Sequence, residues 1–236
     1  MRKFEEIVIL TGAGISAESG LSTFRDAGGL WEKHRIEDVA TPEAFARDPE
    51  GVQKFYNLRR RHLDEVAPNA AHRALARLEA ESDSRVTIIT QNVDDLHERA
   101  GSRNVLHMHG ELKKARCLEC GRASRWEDDI EPTSACPACG AAGRLRPHVV
   151  WFGEIPLELD RIDRLLGACD LFVSIGTSGA VYPAAGFVSQ VRALGRAHTV
   201  ELNLEPSAGS HFFHEARYGP AGTIVPLFVE ELLTGR

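Results

Sequence analysis

Residues 7–17 have the sequence IVILTGAGISA, the stretch that decides the fold. The apolar, β-branched run Ile7–Leu10 predicts a short buried strand, and Gly12-Ala13-Gly14 predicts a tight turn directly after it. We expect a helix to open over residues 15–21. Such glycines let the backbone approach a pyrophosphate, whose charge is favoured by the helix N-terminus. The stretch therefore predicts a nucleotide-binding unit, although short glycine turns also occur at ordinary strand–helix junctions.

Strands and helices alternate along the rest of the chain. The predicted strands are residues 86–90, 149–152, 171–175 and 199–204. The predicted helices are residues 69–80, capped by Asn69, residues 93–100, residues 184–194, one ending near Ala168 and one following Pro226. Residues 28–68 are expected to be helical and loop-like, broken at Pro42 and Pro49. This alternation predicts an α/β fold, a Rossmann-like parallel sheet with helices on both faces.

A change in composition divides the chain into domains. We expect a discontinuous Rossmann-like nucleotide-binding domain (residues 1–28, 82–110 and 145–236), a helical insert (29–81) and a small cysteine-containing insert (111–144). A second glycine turn, Gly176-Thr177-Ser178, could hold the other half of a nucleotide. The ordinary dinucleotide fingerprint is incomplete, because no strand leads to Glu32, Glu37 or Asp38. A conventional dehydrogenase is therefore a poor fit.

Four cysteines form two pairs, Cys117-x-x-Cys120 and Cys136-x-x-Cys139, separated by 15 residues and each followed by glycine. This spacing is typical of a tetrahedral zinc site. Four thiolates leave no open position for catalysis, and a redox dithiol does not explain two pairs in one polar insert. We predict one structural Zn²⁺ per chain. Zinc ribbons can also bind nucleic acid, but the acidic run 127–129 argues against that.

Composition limits the class of protein further. The chain has 236 residues, 43% hydrophobic and 26% charged, and a net charge of −6. That charge argues against coating duplex nucleic acid. The longest basic cluster, Arg59-Arg60-Arg61, predicts a solvated helix face. No stretch suits a signal peptide or the ~20 apolar residues that span a bilayer. We therefore expect a cytoplasmic protein, whose reducing surroundings favour metal-binding cysteines over disulfides.

Six segments in sequence order resemble the sirtuins, the NAD-dependent protein lysine deacylases. The match runs from residue 10 to the end of the chain. The matching segments are the glycine loop 12–16 continuing to Thr23-Phe24-Arg25, Gln91-Asn92-Val93-Asp94, His107-Met108-His109-Gly110, the four cysteines, Gly176-Thr177-Ser178 and Asn203-Leu204-Glu205.

The resemblance implies that NAD is a consumed co-substrate. The products would be nicotinamide, free lysine and 2′-O-acyl-ADP-ribose. The implied NAD-binding residues are Gly12, Ala13, Gly14, Ser16, Glu18, Phe24, Arg25, Gln91, Asn92, Val93, Asp94, Gly176, Thr177, Ser178, Asn203, Leu204, Glu205 and Ala221. Phe24 and Arg25 would belong to the loop that covers NAD. The adenosine half would lie against the glycine turn at 176–178 and residues 203–205.

The resemblance further implies that His109 is the catalytic base, with Asn92 beside the nicotinamide ribose. Histidine can accept a proton near neutral pH, since its reference pKa is about 6.5. Without the family match, His107 and His109 are equal candidates. Asp94 matches the residue that holds the nicotinamide amide, but Asp94 and Asp95 could equally favour the first turn of a helix.

Residues 149–154 resemble the family's strand that pairs with the substrate backbone, facing residues 179–182. Val150, Phe152 and Gly153 are the implied contacts with an acyl-lysine peptide, which could add as a β-strand. The alternative is an ordinary buried strand with Trp151 in the core. We expect acyl-lysine proteins or peptides as partners, no nucleic acid and no membrane, and we see no reason to expect more than a monomer.

The acyl group is indicated by Tyr56 and Arg59, which share a face of a predicted helix at positions i and i+3. A phenol and a guanidinium together suit a carboxylate. The pair resembles the Tyr-x-x-Arg of the bacterial and mitochondrial sirtuin branch that removes succinyl, malonyl and glutaryl groups, and Ala40 matches its small residue. The alternative is that Tyr56 packs in the core and Arg59 is a surface arginine.

Two other functions remain open at this point. One is a protein ADP-ribosyltransferase that uses the same pocket, and the other is an NAD-sensing or nucleic-acid-binding zinc module without turnover. The presence of His109 and the substrate strand favours deacylation, and Asn92, Asp94 and His109 together argue against a module without turnover.

Overall fold

The structure, a computed structural model, describes residues 4–21 and 35–235. Phe24 and Arg25, predicted to cover NAD, lie outside the described residues. The strands are β1 Glu6–Thr11, β2 Arg85–Thr90, β3 Val105–His107, β4 Gly110–Cys117, β5 Ala123–Arg125, β6 Leu145–Val149, β7 Leu171–Ile175, β8 His198–Asn203 and β9 Glu215–Tyr218. The α-helices are α1 Ile36–Val39, α2 Pro42–Arg47, α3 Pro49–Glu65, α4 Ala70–Glu81, α5 Leu96–Ala100, α6 Leu159–Ala168, α7 Phe187–Leu194 and α8 Ala221–Thr234.

The main sheet is parallel, in the order β3-β2-β1-β7-β8-β9. Side chains alternate across β1, because successive residues of a strand point to opposite faces. Ile7 and Ile9 join a core cluster with α4 and α8, and Val8 and Leu10 join one with α6 and α7. The α/β prediction of a Rossmann-like sheet covered on both faces is thereby confirmed.

A second sheet, of order β5-β4-β6, is antiparallel. Cys117 ends its strand β4, and the other three cysteines of the zinc module lie outside its strands. The prediction of a strand at residues 149–152 was wrong. The strand ends at Val149 and pairs with β4, and residues 150–152 leave it as an irregular segment. Trp151 packs in the core cluster of helices α1–α3, and Phe152 is exposed, so the run does not join the parallel sheet. The domain boundaries remain a prediction.

Caps define the helices between the first two strands. Pro42 and Pro49 begin α2 and α3, where the missing N–H of proline costs nothing. The Asn69 side chain caps α4 as predicted, accepting hydrogen bonds from two backbone N–H groups of its first turn. Helix α4 packs against the parallel sheet, whereas α1–α3 contribute to a separate core cluster.

The prediction that residues 59–61 form a solvated face was wrong. Arg60 is fully buried, where it donates to the Leu112 carbonyl and to Asn57 Oδ1, both at 2.7 Å. Arg59 is half-buried, and Arg61 is exposed and paired with Asp129. Successive helical residues point about 100° apart, so three adjacent arginines cannot share one face.

Three predicted helices differ from the structure. Residues 15–21 form short 3₁₀ turns that end at the left-handed Gly20. Helix α5 begins at Leu96 rather than at residue 93, because the Asp94 side chain accepts its first N–H. Helix α8 begins at Ala221, and Pro226 lies inside it rather than before it. None of the described helices is long and apolar enough to cross a membrane.

Candidate functional site

The two glycine turns meet where β1 and β7 end side by side. Gly12 N–H donates to the Ile175 carbonyl at 3.0 Å, and Gly14 N–H donates to the Gly176 carbonyl at 2.9 Å. A Cβ added at Gly12 or Gly14 would lie 2.8 Å from backbone atoms of Gly176. The two glycines are therefore required for the turns to contact each other, whether or not a ligand also approaches them. In a parallel sheet of this strand order, ligands bind at this switch point.

Backbone donors remain available at the meeting of the turns. Among the described residues, no acceptor is recorded for the N–H groups of Ala13, Thr177 and Ser178. Buried or half-buried N–H groups need partners, and turns of this kind bind anions. The donor set fits a pyrophosphate. Because residues 13–19 form only 3₁₀ turns, the contribution of a helix macrodipole is smaller than the sequence predicts.

A buried polar cluster lies beside the first glycine turn. Ser16 Oγ donates to Asp94 Oδ2 at 3.0 Å and accepts from Asn92 Nδ2 at 3.1 Å. Asp94 also accepts the Leu96 N–H at 3.1 Å, so it both caps α5 and joins the cluster. Burial raises the pKa of the Asp94 carboxyl, while its two hydrogen bonds oppose that rise. The cluster concentrates amide, hydroxyl and carboxyl groups at one end of the crevice.

Two histidines near this cluster differ in environment. His109 Nδ1 lies 3.1 Å from the Gln91 carbonyl, to which it must donate, and no partner is recorded for Nε2 among the described residues. Burial lowers the pKa of His109. His107 instead has acceptors at both ring nitrogens, the Asn92 carbonyl at 3.3 Å and Glu98 at 2.7 Å. Burial opposes protonation of His107, but Glu98 outweighs it and its pKa is raised. Acceptors at both ring nitrogens favour the protonated form of His107, whereas His109 has a nitrogen able to accept a proton.

Tyr56 and Arg59 lie together on α3, and the Arg59 guanidinium interacts electrostatically with the Tyr56 hydroxyl and with the Asp94 carboxyl. The pair therefore lies near the polar cluster. Tyr56 is buried in an apolar group that also contains Ala40 and Trp151. The Tyr56 hydroxyl accepts a hydrogen bond from the Trp151 indole at 2.9 Å. Burial raises the pKa of Tyr56, so its phenol is neutral.

The segment predicted to pair with substrate is held by its own backbone bonds. Val150 N–H donates to the His109 carbonyl and Phe152 N–H to the Ala40 carbonyl, both at 2.9 Å. The Phe152 side chain is exposed, and a Cβ added at Gly153 would meet nothing within 4 Å. Among the described residues, no partner is recorded for the Gly153 N–H. Trp151 is buried, as the core alternative predicts.

Residues predicted for the adenosine half surround the second glycine turn. Asn203 Nδ2 donates to the Thr177 carbonyl at 2.8 Å, and Leu204 and Glu205 are exposed beside it. Glu18 accepts the Gly222 N–H at 2.8 Å, at the start of α8 where Ala221 lies. In this structure Glu18 therefore caps a helix.

The four cysteine sulfurs form a compact metal site. All lie within 4.8 Å of one another, with 3.7 Å between Cys117 and Cys139 and 3.8 Å between Cys120 and Cys136. A tetrahedron of sulfurs about 2.3 Å from a zinc ion has edges of about 3.8 Å. The glycines after each pair adopt positive φ, +72° and +76°, as the two knuckles require. The set fits structural zinc.

Two histidines at the site were not predicted from the sequence. His72 Nε2 lies 3.4 Å from Ser16 Oγ, and His97 Nε2 lies 3.0 Å from Thr11 Oγ1. Burial lowers the pKa of His72 to about 4, so His72 is neutral. His72 occupies the third position after Asn69, where a capping-box partner is expected, and that spacing could have found it. No local pattern indicates His97.

These features define an α/β nucleotide-binding protein with a histidine at the crevice and a four-cysteine zinc module. A model of the Sir2 family matches residues 12–183. This chain belongs to the Sir2 family, the sirtuins.

Two relatives and one solved structure extend the comparison. A protein of Escherichia coli O6:H1 named "NAD-dependent protein deacylase" is 59% identical over 231 residues, 97% of this chain and 84% of the relative. One of the same name from Vibrio parahaemolyticus is 59% identical over 232 residues, 98% of this chain and 96% of the relative. A Sir2 homologue solved as an NAD complex superposes with a TM-score of 0.89 at 41% identity, covering 98% of this chain and 91% of that one.

Proposed function

We propose that this sirtuin is an NAD-dependent protein lysine deacylase that removes both acetyl and succinyl groups. The observation that carries the proposal is the state of His109. Its Nδ1 donates to the Gln91 carbonyl, so the neutral ring presents an unprotonated Nε2 next to the crevice. A general base needs such a nitrogen, and His107, with acceptors at both nitrogens, does not offer one.

NAD would extend along the carboxyl edge of the sheet. The N–H groups of Ala13, Thr177 and Ser178 would hold its phosphates, and residues 203–205 its adenosine half. The carboxyl of Asp94, fixed by Ser16, would accept the amide N–H of nicotinamide. When bound, NAD supplies an electrophilic ribose carbon from which nicotinamide departs.

Side chains of the protein would then orient the ribose and accept a proton from it. Asn92, held by its bond to Ser16, would lie against the ribose hydroxyls. His109 Nε2 would accept a proton from one of these hydroxyls and so permit transfer of the acyl group to it. The short loop from Gln91 to Asp94 would serve both proton transfer and nicotinamide departure. Gln91 orients His109, and Asp94 would hold the departing nicotinamide.

An acyl-lysine peptide would lie between residues 150–153 and residues 179–182. The exposed Phe152, the open Gly153 and the exposed Val181 and Tyr182 support this proposal. The N–H of Gly153 would supply a main-chain bond for an added strand. One chain contains every group in this scheme, so we propose that the enzyme works as a monomer, which sedimentation can test.

The range of acyl groups follows from Tyr56, Arg59 and Ala40, which we call the carboxylate pocket. The neutral Tyr56 phenol and the Arg59 guanidinium would bind the distal carboxylate of a succinyl group, and Ala40 leaves room for the chain. An acetyl group has no distal carboxylate to bind them. The carboxylate pocket therefore adds succinyl-lysine to the substrates without excluding acetyl-lysine.

The test compares one peptide in acetylated, succinylated and unmodified forms, with nicotinamide and free lysine measured together. Release of nicotinamide that requires the acyl group and yields free lysine supports deacylation. Nicotinamide release without an acyl group, with ADP-ribose attached to protein, would indicate a transferase instead. Absence of turnover would indicate an NAD-sensing module.

The carboxylate pocket is tested by Arg59→Met. Loss of a charge-assisted contact costs about 1.5–3 kcal/mol, so succinyl kcat/KM should fall roughly tenfold or more relative to acetyl kcat/KM. Arg61→Met is the matched control, because Arg61 is exposed and pairs with Asp129 in the zinc module. An unchanged succinyl-to-acetyl ratio in Arg59→Met would refute the pocket.

A further inference from the structure

A buried hydrogen bond joins helix α3 to the segment 150–153, which we propose binds the substrate peptide. The Trp151 indole N–H donates to the Tyr56 hydroxyl oxygen at 2.9 Å, across 95 residues of sequence. Both side chains are almost completely buried, Tyr56 at 1% and Trp151 at 3% exposure. A buried indole N–H needs an acceptor, and here the phenol oxygen is that acceptor.

This bond determines what the Tyr56 hydroxyl can do. A phenol has one proton to donate and an oxygen that accepts. With the oxygen receiving the indole proton, the remaining function of the hydroxyl is donation, and no acceptor for its proton is recorded among the described residues. The raised pKa keeps that proton in place at neutral pH. The hydroxyl is therefore arranged as a donor, as binding of a carboxylate requires.

Trp151 is itself firmly held. The Arg146 guanidinium carbon lies 3.4 Å from the centroid of the indole ring, and Arg146 forms a two-bond ion pair with Glu154 at 2.7 and 2.9 Å. Glu154 in turn accepts the Trp151 backbone N–H at 2.8 Å, and Phe45 packs on the ring with centroids 5.2 Å apart. Ring, backbone and neighbours thus leave the indole one orientation.

We propose that Trp151 is a positioning residue for acyl-group choice, which orients the Tyr56 hydroxyl toward the distal carboxylate of a dicarboxylic acyl group. The inference rests on the proposed function, because it assumes that Tyr56 contacts that carboxylate. Acetyl-lysine has no distal carboxylate, so the Trp151–Tyr56 bond acts on succinyl-lysine and not on acetyl-lysine.

The test removes the indole N–H and measures kcat/KM for succinyl and acetyl forms of one peptide. Trp151→Phe is expected to lower the succinyl-to-acetyl ratio about three- to tenfold, the effect of one neutral hydrogen bond. Trp126→Phe is the matched control, since its indole donates to the Asp129 carbonyl in the zinc module and its ratio should not change. Equal losses for both acyl groups in Trp151→Phe would overturn the proposal, because a merely structural role affects both.

A double-mutant cycle separates this inference from the proposed function. In a Tyr56→Phe background, Trp151→Phe should lower the ratio no further, and an additive loss would overturn the proposal. If Tyr56→Phe alone leaves the ratio unchanged, the carboxylate pocket and this inference both fail. If Tyr56→Phe lowers the ratio and Trp151→Phe does not, only the inference fails. Should Trp151→Phe fold poorly, benzothienylalanine at position 151 keeps the ring shape without the N–H and must give the same fall in ratio.

Discussion

The proton acceptor proposed for catalysis can be tested by pH. Burial lowers the pKa of His109 below its ordinary value, and Gln91 fixes the proton on Nδ1, so Nε2 is unprotonated at neutral pH. Activity should be lost only when acid protonates Nε2. The acid limb of a plot of kcat/KM for NAD against pH should therefore have its midpoint below 6.5.

The size of the effect follows from that midpoint. With a pKa at or below 6.5, at least about nine-tenths of His109 is neutral at pH 7.5, so kcat/KM should change by no more than about a tenth between pH 7.5 and 9. Below the midpoint, it should fall about tenfold per pH unit. Removal of the base in His109→Gln should lower kcat by about 10²–10⁴-fold on the plateau above the midpoint, and this deficit should shrink at acid pH as the parent itself is protonated.

If His107 were the base, the acid limb would lie at higher pH, so the measurement distinguishes the two histidines. Glu98 raises the pKa of His107, so a reaction that used His107 would continue to gain activity above pH 6.5. The assay follows nicotinamide release at saturating acyl-peptide from pH 5 to 9, with folding checked by circular dichroism at each pH. An acid limb centred above 6.5, or a His109→Gln variant that retains the parent's kcat, would refute the assignment.

Three further predictions concern the glycine turns, a helix cap and the zinc module. Gly14→Ala places a Cβ 2.8 Å from Gly176 and should raise the KM for NAD at least about tenfold by separating the turns, so an unchanged KM contradicts the close approach. Asn69→Ala removes the α4 cap and a 2.7 Å bond to the Ile15 carbonyl, and urea unfolding should show a loss of about 1–2 kcal/mol; a loss near zero would count against the cap. Cys139→Ser should lower bound zinc below one per chain and reduce the melting temperature, as measured by metal analysis and calorimetry; retention of one zinc per chain would exclude Cys139 as a ligand.

The sequence predicted much of the sheet because burial leaves a local pattern. The strand at residues 171–175 agrees with β7, and the cap at Asn69 agrees with α4. The three-residue strand β3 and the strand β9, whose residues alternate between half-buried and exposed, were missed, since neither has a long apolar run. The helix predicted after Gly14 did not form, because Gly20 in a left-handed conformation ends the turn early.

The roles of individual site residues depended on partners far away in sequence. Spacing could not rank His107 above or below His109, since both are largely buried and the difference lies in Glu98, which pairs with His107. It could not foresee that Arg60 is buried between the half-buried Arg59 and the exposed Arg61 in sequence. These properties are set by the packing of α3 and of the loops against the sheet.

By itself, the sequence determined the elements that short-range physics controls: apolar runs that become strands, glycines at turns, and cysteine pairs whose spacing suits one metal. Only the tertiary structure decided that His109 Nε2 can accept a proton, that Arg60 is buried and that the Tyr56 hydroxyl is oriented. The reason is that the pKa of a side chain depends on how much water packing removes from it and on which charges packing brings near it. A hydrogen bond such as that between Trp151 and Tyr56 likewise forms between groups that only the folded chain brings together.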